Sequence, residues 1–231
     1  MIVFCQGCPL RCVYCHNPDT WKLVGGGILT VEQVLEQYDR NAAFYARGGI
    51  TVSGGEPLLQ PEFLRDLFQA CHEHPQGKIH TCLDTSGGVA LRAGNTAAIE
   101  AALDACDLVL LDVKHTDPQA YKELCGGSFD HLLAFMELLQ AHQVPVRIRQ
   151  VMVPGITDSV AQVRTLGAFI AGWSNICGLE LLPYHTMGVP KYAELGLDYP
   201  LAGLADENRS LIPTLRAEVL EAYRQEKRSR G

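Results

Sequence analysis

The chain has 231 residues, 47% of them hydrophobic, and 26 acidic against 19 basic residues give a net charge of -7. That balance argues against nucleic acid or an anionic membrane as partner, and charge breaks every apolar run before it reaches spanning length. Met1-Ile2-Val3-Phe4-Cys5 lacks the charged lead and long apolar core of a signal peptide, which predicts a cytoplasmic protein, and no Pro/Ser-rich or single-charge stretch divides 1–231 into more than one domain.

After a cysteine-rich opening, Thr30 and Gln33 form a capping box, and Val31, Val34, Leu35 and Tyr38 recur at helical spacing until Gly48-Gly49. Ile50 to Ser53 is a short strand ending in Gly54-Gly55-Glu56-Pro57, and Pro61 opens a helix with Phe63, Leu64, Leu67, Phe68 and Cys71 on its apolar side. The unit then repeats. Strands are predicted at Ile79 to Leu83, Leu108 to Leu111, Val146 to Val153 and Leu179 to Leu182. Helices are predicted near Asn95 to Ala105, His131 to His142, Val160 to Gly172 and Leu211 to Arg224. The basic cluster Arg224, Lys227, Arg228 and Arg230 reads as a solvated last turn suited to the helix dipole.

Strands alternating with helices imply a parallel sheet with right-handed crossovers, either doubly wound or closed toward a barrel. Glu56, Asp84, Asp112, Lys114 and His185 each follow an apolar strand, at the carboxyl ends where both architectures place their sites. Five polar clusters around one mouth favour an α/β barrel, complete or partial.

Nine cysteines in a reducing compartment argue against a disulfide framework. Cys8, Cys12 and Cys15 cluster in one short loop, where three thiolates can ligate three irons of a cubane and leave the fourth iron open to a substrate. The competing reading is structural zinc with His16 as fourth ligand, although adjacent Cys15 and His16 make poor tetrahedral geometry. Cys5, Cys71, Cys82, Cys106, Cys125 and Cys177 show no second cluster pattern and read as structural.

The strand-end residues have ordinary readings too. Gly54-Gly55-Glu56 suits a strand-to-helix turn, and Asp112 and Lys114, on one face, make either a salt bridge or a site for a zwitterionic amino acid or a ribose. Arg149, a cation in an apolar strand, requires a partner. Asp84, Thr85 and Asp112 offer hard oxygen ligands, or Asp84 and Thr85 cap the next element.

The run from Gln6-Gly7-Cys8 to Asn17-Pro18-Asp19-Thr20-Trp21, with Cys-x3-Cys-x2-Cys and Tyr14 before the last cysteine, resembles the radical S-adenosylmethionine signature, and in its length that of pyruvate formate-lyase activating enzymes. The resemblance continues through Ser53 to Leu58, His80 to Thr85, Leu111 to Lys114, Ile148-Arg149, Val153-Pro154-Gly155 and Leu182 to His185, nearly the whole chain. It implies a partial (β/α)6 TIM-type barrel, a radical SAM core with the cluster loop at the C-terminal mouth of the strands.

It further implies a [4Fe-4S] cluster on Cys8, Cys12 and Cys15, and S-adenosylmethionine held by Tyr14, Cys15, His16, Gly54, Gly55, Glu56, Asp112, Val113, Lys114, Arg149 and His185. In this pattern Gly54-Gly55 receive the methionine amino group, Tyr14 and His16 lie along the adenosine, and Asp84, Thr85 and Asp112 hold a monovalent cation. For Tyr14, His16 and His185 the plain alternatives are packing, a surface histidine and a turn histidine.

The implied reaction is reductive cleavage of S-adenosylmethionine to methionine and a 5'-deoxyadenosyl radical, which takes a glycine alpha hydrogen from a glycyl-radical enzyme. The implied partners are pyruvate formate-lyase and a one-electron reductant such as flavodoxin or ferredoxin. Asn17 to Ala70 contains no cysteine, which favours the single-cluster pyruvate formate-lyase type over activators carrying a ferredoxin-like insert. Activation of another glycyl-radical enzyme, a small-molecule substrate, and a zinc-stabilised or inactive docking protein are the alternatives. One departure stands out: the family's Val-Asp-Gly-Pro-Gly-like segment, which borders the substrate peptide, would precede the first strand, whereas this sequence begins inside that strand at Met1, so either the true start lies upstream or the chain is shortened.

Overall fold

In the computed structural model, which describes residues 1–45, 48–206 and 209–230, six strands form one parallel sheet in the order β1-β2-β3-β4-β5-β6. They are β1 (Ile2–Cys5), β2 (Gly49–Gly54), β3 (His80–Thr85), β4 (Leu108–Asp112), β5 (Val146–Met152) and β6 (Ile176–Pro183). A doubly wound sheet reverses its strand order at a switch point; here every strand lies beside its predecessor, so the sheet winds one way, as in a barrel. Among the described residues no ladder joins β6 back to β1, and the barrel is partial.

Strand β5 shows how the wall is built. Val146, Ile148, Gln150 and Met152 are buried, while Arg147, Arg149 and Val151 alternate on the other face. Period-2 alternation thus sends one set under the helices and the other into the barrel.

The helices are α1 (Val31–Arg40), α2 (Pro61–His72), α3 (Thr96–Leu103), α4 (Pro118–Cys125), α5 (Phe129–Ala141), α6 (Val160–Ile170), α7 (Val189–Glu194) and α8 (Ile212–Arg230). The predicted capping box forms at Thr30 and Gln33. Helix α1 ends at Arg40, short of Gly48, and a 3-10 turn at Ala42–Tyr45 follows; residues 46 and 47 of the predicted helix lie outside those described. Helices α4 and α7 were not predicted. α4 begins with an Asp117 cap, whose carboxylate accepts from the Ala120 N–H at 2.8 Å, and Pro118 at its first position. Gly167 brings α6 against α8: a Cβ there would lie 2.3 Å from the Val219 carbonyl oxygen. Among the described residues no helix is long and apolar enough to cross a membrane.

At the end of the barrel opposite the cysteines, Asp107 precedes β4 and accepts from Lys78 Nζ (2.5 Å), the Thr81 N–H (3.0 Å) and His72 Nε2 (3.2 Å). Burial alone would raise its pKa, but these donors outweigh it and hold the carboxylate near 2 rather than 3.8. A depressed acid stabilises the fold above its unfolded pKa and loses that contribution as pH falls through the folded one. Asp107→Asn should therefore cost about 2 kcal/mol at neutral pH. In urea titrations the difference from wild type should vanish as pH falls from 3.8 to about 2.

Candidate active site

The loop from Gln6 to Trp21 leaves β1 and is fastened on three sides. Gly7 donates to the Thr20 carbonyl (2.8 Å) and Cys8 to that of Trp21 (3.4 Å), closing the loop on itself. Gly55 and Glu56 donate to the carbonyls of Cys5 (2.9 Å) and Gly7 (2.8 Å), tying it to the end of β2. Arg11 and Val13 donate to the carbonyls of Cys125 (2.8 Å) and Leu124 (3.0 Å), tying it to the end of α4. From α7, Lys191 Nζ reaches Asn17 Oδ1 (2.9 Å) and Asp19 (3.0 Å).

These ties turn Cys8, Cys12 and Cys15, all partly buried, toward one cavity of about 490 Å³ at the carboxyl ends of the strands. The volume suits a small-molecule site. Tyr14, His16, Gly54, Gly55, Asp84, Thr85, Asp112, Lys114, Arg149 and His185 line it as well. Leu10, Val151 and Leu182 supply apolar wall.

Two of the named residues lie elsewhere. Glu56 is fully buried beneath the loop, where its carboxylate accepts from the Leu58 N–H (3.1 Å), Thr85 Oγ1 (2.5 Å), the Ser86 N–H (3.0 Å) and Ser86 Oγ (2.5 Å). Four donors saturate it, so it joins β2 to β3 rather than facing a ligand. Val113 is also fully buried, because alternation after Asp112 turns it into the core.

The two glycines are required by a close approach within the chain. Gly54 has φ +107°, and a Cβ on Gly55 would lie 2.1 Å from the Gly7 carbonyl oxygen. Gly55→Ala should push the cysteine loop off β2; bound iron after anaerobic reconstitution is expected to fall severalfold while the far-ultraviolet circular dichroism is kept.

Across the mouth from the cysteines, Arg149 bridges two carboxylates. Its Nη2 donates to Asp84 Oδ1 and its Nε to Asp112 Oδ1 (2.9 Å). Ser53 donates to Asp84 Oδ2 (2.8 Å) and Lys114 to Asp112 Oδ2 (2.8 Å), so each carboxylate oxygen has a donor. The Thr85 hydroxyl is engaged by Glu56. The guanidinium thus stands where the resemblance puts a monovalent cation on Asp84, Thr85 and Asp112, and the salt-bridge reading of Asp112 and Lys114 holds geometrically.

The two carboxylates are not equivalent. Burial favours protonation of both, but Lys114 and Arg149 together outweigh it at Asp112 and lower its pKa. At Asp84 burial and the nearby Asp112 charge prevail, and the pKa is raised. Lys114 stays charged because Asp112 and the neighbouring acidic groups outweigh its own burial.

His16 and His185 stack with ring centroids 4.0 Å apart, and His16 Nε2 lies 3.0 Å from the His185 carbonyl oxygen. Burial lowers the pKa of His16, which keeps it neutral at pH 7. The Tyr14 hydroxyl and His185 Nδ1 are buried without a hydrogen-bond partner among the described residues. Two orphaned polar atoms on the wall of one cavity are what a polar ligand would satisfy.

Sequence reasoning assigned no role to Asn17, Trp21, Ser53, Ser86, Met187 or Arg209, which also line the cavity. Asn17, Trp21 and Ser53 stood in the motif runs; Met187 and Arg209 carried no signal. Of the six cysteines read as structural, Cys5, Cys71, Cys82, Cys106 and Cys125 are buried and Cys177 is exposed.

No three His, Cys, Asp or Glu side chains among the described residues converge on one metal ion. Cubane ligands sit on separate irons and need not converge on one ion. The radical SAM superfamily model matches residues 2–166. The chain is 44% identical over 225 residues to the pyruvate formate-lyase-activating enzyme of Clostridium pasteurianum, covering 95% of this chain and 91% of that protein. It is 39% identical to the pyruvate formate-lyase 1-activating enzyme of Escherichia coli K12, covering 96% and 88%.

The chain belongs to the pyruvate formate-lyase-activating enzyme family of the radical SAM superfamily.

Solved structures share the fold. A domain of the pyruvate-formate lyase-activating enzyme from Bacteroides vulgatus matches with a TM-score of 0.57 at 22% identity, covering 76% of this chain and 94% of that one. Streptococcus suis SuiB bound to S-adenosylmethionine matches with a TM-score of 0.68 at 17% identity, covering 97% and 47%. As a member of the family, the chain is a radical SAM enzyme that uses a [4Fe-4S] cluster and S-adenosylmethionine. Three cysteines on one cavity, which Asp112, Lys114 and Arg149 also line and onto whose wall Tyr14 and His185 bring unpartnered polar atoms, fit both groups.

Proposed function

We propose that this chain activates pyruvate formate-lyase by removing the alpha hydrogen of a glycine, with Cys8, Cys12 and Cys15 holding the cluster. The observation that carries the reading is the convergence of these cysteines on the cavity walled by Asp112, Lys114, Arg149 and His185, in a chain 44% identical to a curated activator. When bound, the cluster and S-adenosylmethionine supply one electron and, from it, a 5'-deoxyadenosyl radical.

The protein's own part is binding, orientation and exclusion of water. The Gly54 and Gly55 backbone takes the methionine amino group, and Lys114 attracts the carboxylate while Asp112 keeps it charged and in place. The Tyr14 hydroxyl and His185 Nδ1 gain partners on the adenosine side, where neutral His16 stacks on His185. Leu10, Val151 and Leu182 exclude water that would quench a radical. A hydrogen atom moves rather than a proton, so none of these side chains acts as a base. A flavodoxin- or ferredoxin-like protein supplies the electron, and we place the reaction in the cytoplasm.

The test is to mix the anaerobically reconstituted chain with pyruvate formate-lyase, S-adenosylmethionine and a one-electron reductant. A glycyl-radical resonance on the lyase is expected. Release of 5'-deoxyadenosine with no such resonance would refute this substrate.

A further inference from the structure

A second cavity, also of about 490 Å³, opens between the cysteine loop and the turn that joins α4 to α5. Pro9, next in sequence to Cys8, lines it, and Leu10 is buried and lines both cavities. At Leu10 a single apolar side chain separates the two. Two glycines let the outer wall come this close. A Cβ on Gly127 would lie 2.6 Å from Leu10 Cδ2 and one on Gly88 3.1 Å from it, so bare backbone closes on Leu10 from outside.

The rim of this groove is cationic, although the chain as a whole carries a net charge of -7. Lys122 stands exposed on the last turn of α4. Arg11 is exposed beside Gly126, where a Cβ would lie 3.9 Å from that of Arg11. Its guanidinium donates to the carbonyls of Leu10 (2.7 Å) and Cys8 (2.8 Å), on either side of Pro9. Neither Lys122 nor Arg11 has a carboxylate partner among the described residues. Among those residues Asp130 is the one acid that lines the groove.

We propose that this groove is where the electron donor docks, an acidic one-electron redox protein that seats its redox group over Pro9 and Leu10. S-adenosylmethionine and the partner's glycine take the cysteine cavity, so the donor needs another approach to the cluster. Electron transfer falls steeply with distance, and from the groove only Leu10 intervenes before the cysteine cavity. Unpaired cations on the rim steer an acidic partner and fix its orientation. The donor gives up one electron and the cluster gains it, with no atom passing between them.

The inference rests on the cluster standing at Cys8, Cys12 and Cys15, and an iron count on the wild-type chain checks that separately. Wild type, Lys122→Glu and Asp130→Lys, both changes at exposed positions, are reconstituted anaerobically, and reduction of the cluster is followed by stopped-flow absorbance. The donors are reduced flavodoxin, an acidic protein, and photoreduced deazaflavin, a small molecule that needs no docking surface. With flavodoxin at low salt, Lys122→Glu should be about tenfold slower than wild type and Asp130→Lys about threefold faster. At about 0.5 M salt both differences should shrink to less than about twofold. With deazaflavin the three chains should agree within about twofold, since neither residue lines the cysteine cavity. Equal rates with flavodoxin in all three overturn the proposal, as does a Lys122→Glu chain slowed equally with deazaflavin. Slower glycyl-radical formation on the lyase by Lys122→Glu, with deazaflavin as donor, would assign the groove to the lyase and overturn it too. Absence of iron in wild type would overturn the assignment of the three cysteines, and the groove's role with it.

Discussion

Cys12→Ala is expected to abolish both iron binding as a four-iron cluster and formation of 5'-deoxyadenosine, with a rate loss on the order of 10³-fold or more. Two sulfurs cannot hold three corners of a cubane, and among the described residues no fourth cysteine lines the cavity. Cys125 does not line the cavity. Cys8→Ala and Cys15→Ala should behave alike, since both residues line the same cavity and the loop is held by backbone bonds and by Lys191 rather than by the cysteine side chains. Folding should survive: the far-ultraviolet circular dichroism and urea midpoint should stay near wild type, because the cysteines lie at the barrel mouth and not among the buried strand residues. Retention of full cofactor cleavage by any of the three variants would contradict their assignment.

Asp112→Asn is the second change with a large expected effect, and it acts on both stability and ligand binding. Asp112 neutralises Lys114 and shares Arg149 with Asp84, with only 21% of its side chain and 11% of that of Lys114 exposed. Removing the carboxylate leaves a nearly buried ammonium without its partner, which should cost about 3 kcal/mol. The sign with pH follows from the lowered pKa. Its contribution is complete above the ordinary carboxylate value of 3.8 and is lost only below it, as Asp112 takes up a proton in the fold. The gap between wild type and variant in urea titrations should therefore be constant near neutrality and close at low pH. Asp84→Asn should cost less, because burial and the Asp112 charge already oppose ionisation of Asp84. Calorimetry should show weaker S-adenosylmethionine binding for Asp112→Asn in the reconstituted enzyme.

The polar strand ends were legible in the sequence because a buried parallel strand tolerates a charge only where it emerges. Asp84, Asp112 and Arg149 stood out against apolar neighbours, and the structure brings all three into one network. Glu56 was misplaced for a reason the motif does not contain. Gly54-Gly55-Glu56 reads equally well with its carboxylate in the cavity or beneath the turn, and only the Thr85 and Ser86 donors from β3 select the second. Helix α4 was missed although Asp117 and Pro118 are ordinary start signals, because its buried side is only Tyr121, Leu124 and Cys125, too short a pattern to show a period. Missing α4 also hid the tie between its last carbonyls, on Leu124 and Cys125, and the cysteine loop.

Met187 and Arg209 come to the cavity from the connections after β6, and no spacing rule relates them to the first motif. The predicted arginine partner was more accessible to reasoning, since an unpaired guanidinium in a strand is expensive wherever it lies. That it would take both acidic strand ends at once, in the position of the expected cation, depends on the curvature of the sheet across β3, β4 and β5.

Anaerobic reconstitution of the wild-type chain, followed by iron and sulfide analysis and reduction in the presence of S-adenosylmethionine, tests the central claim most directly. About four irons and four sulfides per chain, a reduced-cluster resonance that changes when S-adenosylmethionine is added, and release of 5'-deoxyadenosine are expected. A colourless protein with one zinc per chain and no 5'-deoxyadenosine would contradict it.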